Sequence, residues 1–332
     1  MKSGLPVQIS GIGCYVPERV LDNFELERMV ETNNEWILQR TGISERHIVA
    51  KGEATSDMAE QAVRRLCEST GLKIAEIELV IVATVTPDKV FPATACLVQH
   101  KLGIPQTWGF DLSGACCGFV YALCVGASFV ASGFHSKVVV VGADTMSSIV
   151  DYQDRATCIL FGDAAGAVLL EPARDAANAL IDFYHEVDGS GEPALQMPAG
   201  GSRMPPSCET VKNRLHFVKQ DGQTVFKYAV RKMEEVSRVI LERNQFAPQD
   251  IHLLVPHQAN ARIIRSSAER LGLRNDQYIL NLYKYGNTTA ATIPLALRDA
   301  VEGHRLGKGD LVLLASVGAG FTVGSALVRW AY

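Results

Sequence analysis

The chain has 332 residues, 47% of them hydrophobic and 20% charged, with a formal net charge of −4. That is the composition of an ordinary globular protein long enough for two domains or one large α/β unit. It excludes the global basic field of a nucleic-acid-binding protein. The eight cysteines show no CxxC or Cys/His zinc spacing, which excludes a disulfide scaffold and a dedicated metal site and points to reduced thiols in the cytoplasm.

The opening MKSGLPVQIS has no apolar run suited to a signal peptide. A helical pattern over residues 56–70 leads to a short apolar strand at 78–84. Then comes "DLSGACCGFVYALCVGASFVASG" (111–133), in which residues 112–134 carry no charge. The stretch is long enough to cross a bilayer. Its Gly, Ala, Ser and Cys content, the abutting Asp111 and the lack of a flanking Lys/Arg cluster favour a buried helix instead. Strands follow at 137–141 and 310–315, with helical patterns at 258–271 and 291–301. Such alternation implies parallel strands with helices on their faces.

A faint long repeat underlies this order. "AEIELVIVATVTPD" (75–88) is echoed by "QDIHLLVPHQANAR" (249–262), "GFDLSGACCGFVYAL" by "ILNLYKYGNTTAATIPLAL", and "SKVVVVGAD" by "GDLVLLASV". Three matches in the same order suggest two duplicated halves, 1–172 and 173–332. Cys116 and Asn287 then take equivalent places, each entering a helix and facing one central site.

Few residues suit chemistry. A thiol at a helix N-terminus sits in the positive end of the helix dipole, which favours the thiolate and lowers its pKa. Cys116 and Cys117 both stand at such a start, about 100° apart around the helix. Only one can face a given site, and spacing does not say which. His257 follows an apolar strand and precedes a helix, where α/β proteins place ligand groups; a capping or core histidine fits the same pattern. Asn287 in "YGNTT" also reads as a turn residue. Gly318-Ala319-Gly320 lets backbone amides approach a ligand, as an oxyanion hole requires; tight packing is the alternative. Neither "SVGAGFTVGS" (316–325) nor "FGDAAGAVLL" (161–170) is a nucleotide-binding loop, since no GK[ST] or GxGxxG occurs.

"NNEWILQRTGISERHI" (33–48), "ACCGF" (115–119), "DRATCILFGDAAGA" (154–167), "VPHQANARII" (255–264), "YGNTTAATIPLAL" (285–297) and "GAGFTVGSALVRW" (318–330) resemble, in order, the motifs of the β-ketoacyl-acyl-carrier-protein synthase III family. The resemblance covers nearly the whole chain. It implies an α/β, thiolase-like fold of two βαβαβ-type halves in a layered αβαβα sandwich. It implies a cytoplasmic homodimer with no membrane or nucleic-acid partner, no metal and no cofactor beyond the coenzyme A thioester it consumes. By the same resemblance Cys116 is the nucleophile, His257 and Asn287 complete the catalytic set, and the amides of Cys116 and Ala319 form the oxyanion hole. Trp36 and Arg155 sandwich the adenine of coenzyme A, Arg40 and Thr41 contact the nucleotide, and Gly222, Phe226, Ala259 and Asn260 line the pantetheine tunnel. Phe91 and Val317 bound the acyl pocket, and Lys227, Arg231, Arg262 and Arg265 receive the acyl carrier protein.

The expected reaction joins a short acyl-coenzyme A, acetyl first, to malonyl-acyl carrier protein with loss of CO2, starting fatty-acid synthesis. The chain departs from the family pattern at Asn33-Asn34, usually Ser-Asp, at Ala319, usually glycine, at Cys117, usually alanine, and at Val317, often phenylalanine. The last bears on starter size. The rival readings are a relative making a specialised ketide and a Cys/His/Asn thioester hydrolase.

Overall fold

The computed structural model describes residues 4–332. A five-stranded sheet is ordered β1-β7-β6-β4-β5, from β1 (Val7–Tyr15), β4 (Leu79–Ala83), β5 (Trp108–Leu112), β6 (Val138–Asp144) and β7 (Ala164–Pro172). A four-stranded sheet is ordered β11-β12-β13-β8, from β8 (Leu180–Val187), β11 (Leu253–Pro256), β12 (Leu311–Gly318) and β13 (Thr322–Arg329). Where β5 lies beside β4, the second sheet has only a bridge between Leu254 and Tyr278. Two short ladders, β2 (Arg19–Asp22) with β3 (Glu45–Ile48) and β9 (Leu195–Gln196) with β10 (Lys219–Gln220), complete the strands.

The strands are not all parallel, as the alternation implied. β5, β4 and β6 run parallel, whereas β7 and β1 are antiparallel. In the second sheet β12 turns straight into β13 over Gly318–Thr322, and a connection that short can only join antiparallel neighbours.

Helices form three layers around the sheets. α1 (Asn23–Glu27) and α2 (Asn34–Thr41) lie at one end. α3 (Thr55–Thr70) and α4 (Thr94–Leu102) pack outside the first sheet. α5 (Gly118–Ala131) and α10 (Thr292–Glu302) lie between the sheets and touch both. α7 (Gly222–Arg243) and α8 (Ala261–Leu271) cover the second sheet from outside. α6 (Cys208–Lys212) and α9 (Leu282–Tyr285) are short links.

This layering explains the uncharged stretch at 112–134. Its helix is only Gly118–Ala131, and it has a sheet on either side, so no face needs charge. Phe119, Val120, Leu123, Ala127 and Val130 are fully buried in the core shared by both sheets; each larger side chain contributes roughly 1.5–3 kcal/mol. Among the described residues no helix is long and apolar enough to cross a membrane.

The repeat is present, with a corrected register. The single-turn helices Ile74–Glu76 and Pro248–Asp250 stand at the same offset as the turns Ala115–Cys117 and Thr289–Ala291. Ala115 and Thr289, the first residue of each turn, share a positive φ of 47° and 51°. Cys116 is therefore equivalent to Ala290, not to Asn287. The spacing from single-turn helix to turn is the same in both halves, so Asn287 falls two residues before the second turn rather than within it.

Candidate active site

Cys116, His257 and Asn287 line one cavity of about 640 Å³. All three are buried, at 7%, 1% and 6% exposure. Arg40, Lys227 and Arg262 line the same cavity and are exposed. The cavity thus runs from a basic mouth to a buried floor.

Cys116 is held by the opposite half of the molecule. The Ser316 hydroxyl donates to its carbonyl at 2.8 Å, and Thr322 Oγ1 donates to the Gly114 carbonyl at 3.1 Å. The end of β12 passes so close that a Cβ at Gly318 would lie 2.8 Å from the Cys116 amide nitrogen, so only glycine fits. The amides of Cys116 and Ala319 both face the sulfur, so two backbone donors stand beside it. Cys117 points elsewhere, its thiol donating to the Thr322 carbonyl at 3.2 Å.

The expected lowering of the thiol pKa is not met. Burial pushes Cys116 well above the ordinary cysteine range, the charges of Cys117 and Asp144 add to it, and the two amides only partly offset it. Desolvation of the anion outweighs the helix end, so the resting group is a thiol.

His257 follows β11, and its amide donates to the Ala315 carbonyl at 2.8 Å. Its Nδ1 lies 2.7 Å from Thr292 Oγ1, and its Nε2 is buried without a partner among the described residues. Burial lowers its pKa to about 3, so the ring is neutral. Asn287 is oriented by the backbone: its Oδ1 accepts from the Thr289 amide at 3.0 Å, which leaves Nδ2 as the donor for the cavity. Gly286 before it has φ 66°, and a Cβ there would lie 2.8 Å from the Leu160 carbonyl.

The other expected residues divide. Arg40, Thr41, Gly222, Phe226, Ala259, Asn260 and Val317 line the cavity. The Asn260 side chain is already engaged, accepting from the Arg262 amide and donating to the Arg40 carbonyl at 3.0 Å. Trp36 and Arg155 meet beside the mouth, with the guanidinium 5.4 Å from the indole centroid. Asn33, one of the departures, caps α2 by accepting from the Trp36 amide at 2.8 Å, as serine would.

Phe91 does not line this cavity; it is 83% exposed beside Val90 at 90%. Of the four basic residues, two line this cavity and two do not. Lys227 and Arg262 reach the mouth, Arg262 lying over Phe226 at 5.2 Å. Arg231 lies over Tyr228, and Arg265 lines a separate hollow with Glu269, because three helical positions fall about 60° short of a turn.

Met233, Leu160 and Phe321 also line the cavity and escaped the sequence reading. Met233 was accessible to it, since 222, 226, 229 and 233 follow the i, i+4, i+7 face of α7. Asp144 was missed as well. This buried carboxylate accepts from the Ala290 amide at 3.1 Å and from Thr84, Val85 and Thr86, and burial raises its pKa to about 6. It ties the Thr289–Ala291 turn to the end of β4.

Solved structures match over the full length. The 3-oxoacyl-[acyl-carrier-protein] synthase III of Aquifex aeolicus is 41% identical, with a TM-score of 0.90 over 98% of this chain and 100% of that one. The priming β-ketosynthase of the R1128 polyketide biosynthetic pathway is 32% identical, with a TM-score of 0.91 over 100% and 98%. A buried thiol facing two amides, with neutral donors beside it in this five-layer fold, defines a thiolase-like condensing acyltransferase. Curated β-ketoacyl-[acyl-carrier-protein] synthases III agree: that of Solibacter usitatus is 56% identical over 98% of this chain and 99% of its own, and that of Koribacter versatilis 54% over 100% of both. The family descriptions 3-oxoacyl-[acyl-carrier-protein (ACP)] synthase III and its C-terminal counterpart match residues 110–189 and 241–330. The chain belongs to the β-ketoacyl-acyl-carrier-protein synthase III family, whose condensation initiates fatty-acid biosynthesis.

Proposed function

We propose that the enzyme moves a short acyl group, acetyl first, from coenzyme A to Cys116 and then joins it to the malonyl group of acyl carrier protein. The observation that carries this reading is the burial of Cys116, His257 and Asn287 at the floor of a cavity whose mouth is basic. A long thin arm can reach that floor while water, which would hydrolyse the thioester, is kept out. The sulfur attacks the thioester carbonyl, its negative oxygen rests on the Cys116 and Ala319 amides, and coenzyme A leaves as its thiol. The malonyl C–C bond then breaks to release CO2. The enolate oxygen is held by His257 and Asn287, the enolate carbon attacks the acyl carbonyl, and Cys116 departs from the 3-oxoacyl product as the thiolate, which takes a proton from water to become the resting thiol. The adenine lies between Trp36 and Arg155, and the pantetheine passes Gly222, Phe226 and Ala259.

The same reading makes the enzyme a cytoplasmic homodimer. Val90 and Phe91 protrude, and β5 ends its sheet with Trp108 at 44% exposure; a second copy covers such a surface, and Phe91 of the partner subunit limits the acyl pocket. Mass spectrometry after exposure to a panel of acyl-coenzyme A esters is expected to show acetyl loading much faster than octanoyl. Faster octanoyl loading overturns the short-starter assignment, and release of free acid without use of malonyl substrate would mark a hydrolase. Saturation with a starter other than a simple short acyl group would mark a specialised ketide synthase.

Carrier protein is acidic, and Lys227 and Arg262 give it a landing point at the mouth. Arg262→Glu is expected to raise the KM for malonyl-acyl carrier protein about tenfold, more at low salt than at high, with the KM for acyl-coenzyme A little changed. Equal changes for both substrates refute the landing point.

A further inference from the structure

The His257 ring has two possible neutral forms, and they do opposite chemistry. With its hydrogen on Nε2 the ring donates into the cavity; with its hydrogen on Nδ1 it presents a lone pair there, as a base. Nε2 itself has no partner among the described residues to decide between them. The decision therefore falls on whatever touches Nδ1, and that is Thr292 Oγ1 at 2.7 Å.

Thr292 is the first residue of α10, and its hydroxyl also lies 3.1 Å from the Thr289 carbonyl. A threonine hydroxyl has one hydrogen to give. If it goes to the Thr289 carbonyl, Nδ1 must be the donor and Nε2 the lone pair. If it goes to Nδ1, Nε2 must carry the ring hydrogen. Hydrogen bonds from a hydroxyl peak near 2.7–2.8 Å and thin out beyond about 3.0 Å. The shorter contact is the one to the ring.

We propose that Thr292 is a positioning residue that selects the tautomer of His257: its hydroxyl donates to Nδ1, so Nε2 carries a hydrogen into the cavity. Thr292 never touches substrate; it acts through the ring. Placement at the start of α10 suits the task. A helical threonine has few χ1 options, and proximity of Oγ1 to the carbonyl three residues back is one of them. The Thr289–Ala291 turn that fixes this position is the same one that turns Asn287, through the Thr289 amide, towards the cavity. One backbone feature thereby sets the hydrogen direction of both donors.

This assignment rests on the reading of His257 as a donor in the decarboxylative half-reaction, but its primary test does not. In protein labelled with 15N-histidine, the ring-nitrogen shifts of the native enzyme are expected to show His257 with its hydrogen on Nε2. A hydrogen on Nδ1 in the native enzyme overturns the proposal whatever His257 does in catalysis. Thr292→Val keeps the shape and removes only the hydroxyl. It is expected to lose the single-tautomer signature and to slow CO2 release from malonyl-acyl carrier protein about 10²-fold, the cost of one donor at a developing oxyanion. Acylation of Cys116 by acetyl-coenzyme A should stay within about twofold. Thr292→Ser, which restores the hydroxyl, is expected to restore both the signature and the rate. Native-like decarboxylation in Thr292→Val, or a serine variant as slow as the valine one, refutes the assignment. Should the valine variant fail to fold, the native spectrum and the serine variant still decide it.

Discussion

Cys116→Ala is expected to remove all acyl transfer from acetyl-coenzyme A, a loss of about 10⁶-fold as for other deleted nucleophiles. Cys117→Ala should load normally. The two cysteines are neighbours, yet only Cys116 borders the cavity and faces the amides of its own residue and Ala319. The Cys117 thiol is turned away onto the Thr322 carbonyl. Peptide mapping by mass spectrometry after brief treatment with acetyl-coenzyme A checks the assignment. Acyl mass on Cys117, or acylation that survives Cys116→Ala, would reverse it. The pH dependence has a fixed sign. Because burial raises the thiol pKa, the ionised fraction grows with pH throughout the neutral range, and the acylation rate should climb without levelling at pH 7. A plateau below neutrality would show that substrate binding or a nearby base strips the proton far more effectively than the resting site does.

Much of this site was legible in the sequence, for reasons that differ by residue. The apolar runs at 78–84, 137–141 and 310–315 became β4, β6 and β12 because a strand buried on both faces needs no alternation. The helix expected at 258–271 begins at Ala261, since Asn260 caps it with its own side chain. Register was the weak point. The single-turn helix and the turn stand equally far apart in the two halves, so position pairs Cys116 with Ala290, whereas a match guided by the polar residue that precedes the helix stops three residues early at Asn287. The thiol pKa was misjudged because a helix start is visible in a sequence and burial is not. Asp144 escaped for a related reason: an acid after "VVVVGA" looks like a strand end, and only the fold brings the Ala290 amide onto it.

His257→Ala and Asn287→Ala are expected to load an acyl group on Cys116 at a useful rate yet to release CO2 from malonyl-acyl carrier protein about 10²-fold or more slowly. The two half-reactions place negative charge on different oxygens. In acyl transfer it falls on the starter thioester, and the Cys116 and Ala319 amides beside the sulfur are expected to meet it. In decarboxylation it falls on the malonyl thioester, and the groups left to meet it are the unpartnered Nε2 of His257 and the Nδ2 of Asn287. Both are neutral, so they stabilise the enolate without first binding the departing carboxylate as a cation would. With the His257 pKa near 3, the ring does not titrate between pH 5 and 9, and the decarboxylation rate should show no inflection from it there. Stability carries the opposite signature. The folded state refuses a proton that the unfolded chain accepts below about pH 6.5, so acidification from 6.5 towards 3 costs folding free energy while the reaction step stays flat. The competing arrangement, in which His257 takes the Cys116 proton, reverses the pattern. His257→Ala would then fail to load, and chemically acylated enzyme carrying that substitution would decarboxylate at the native rate.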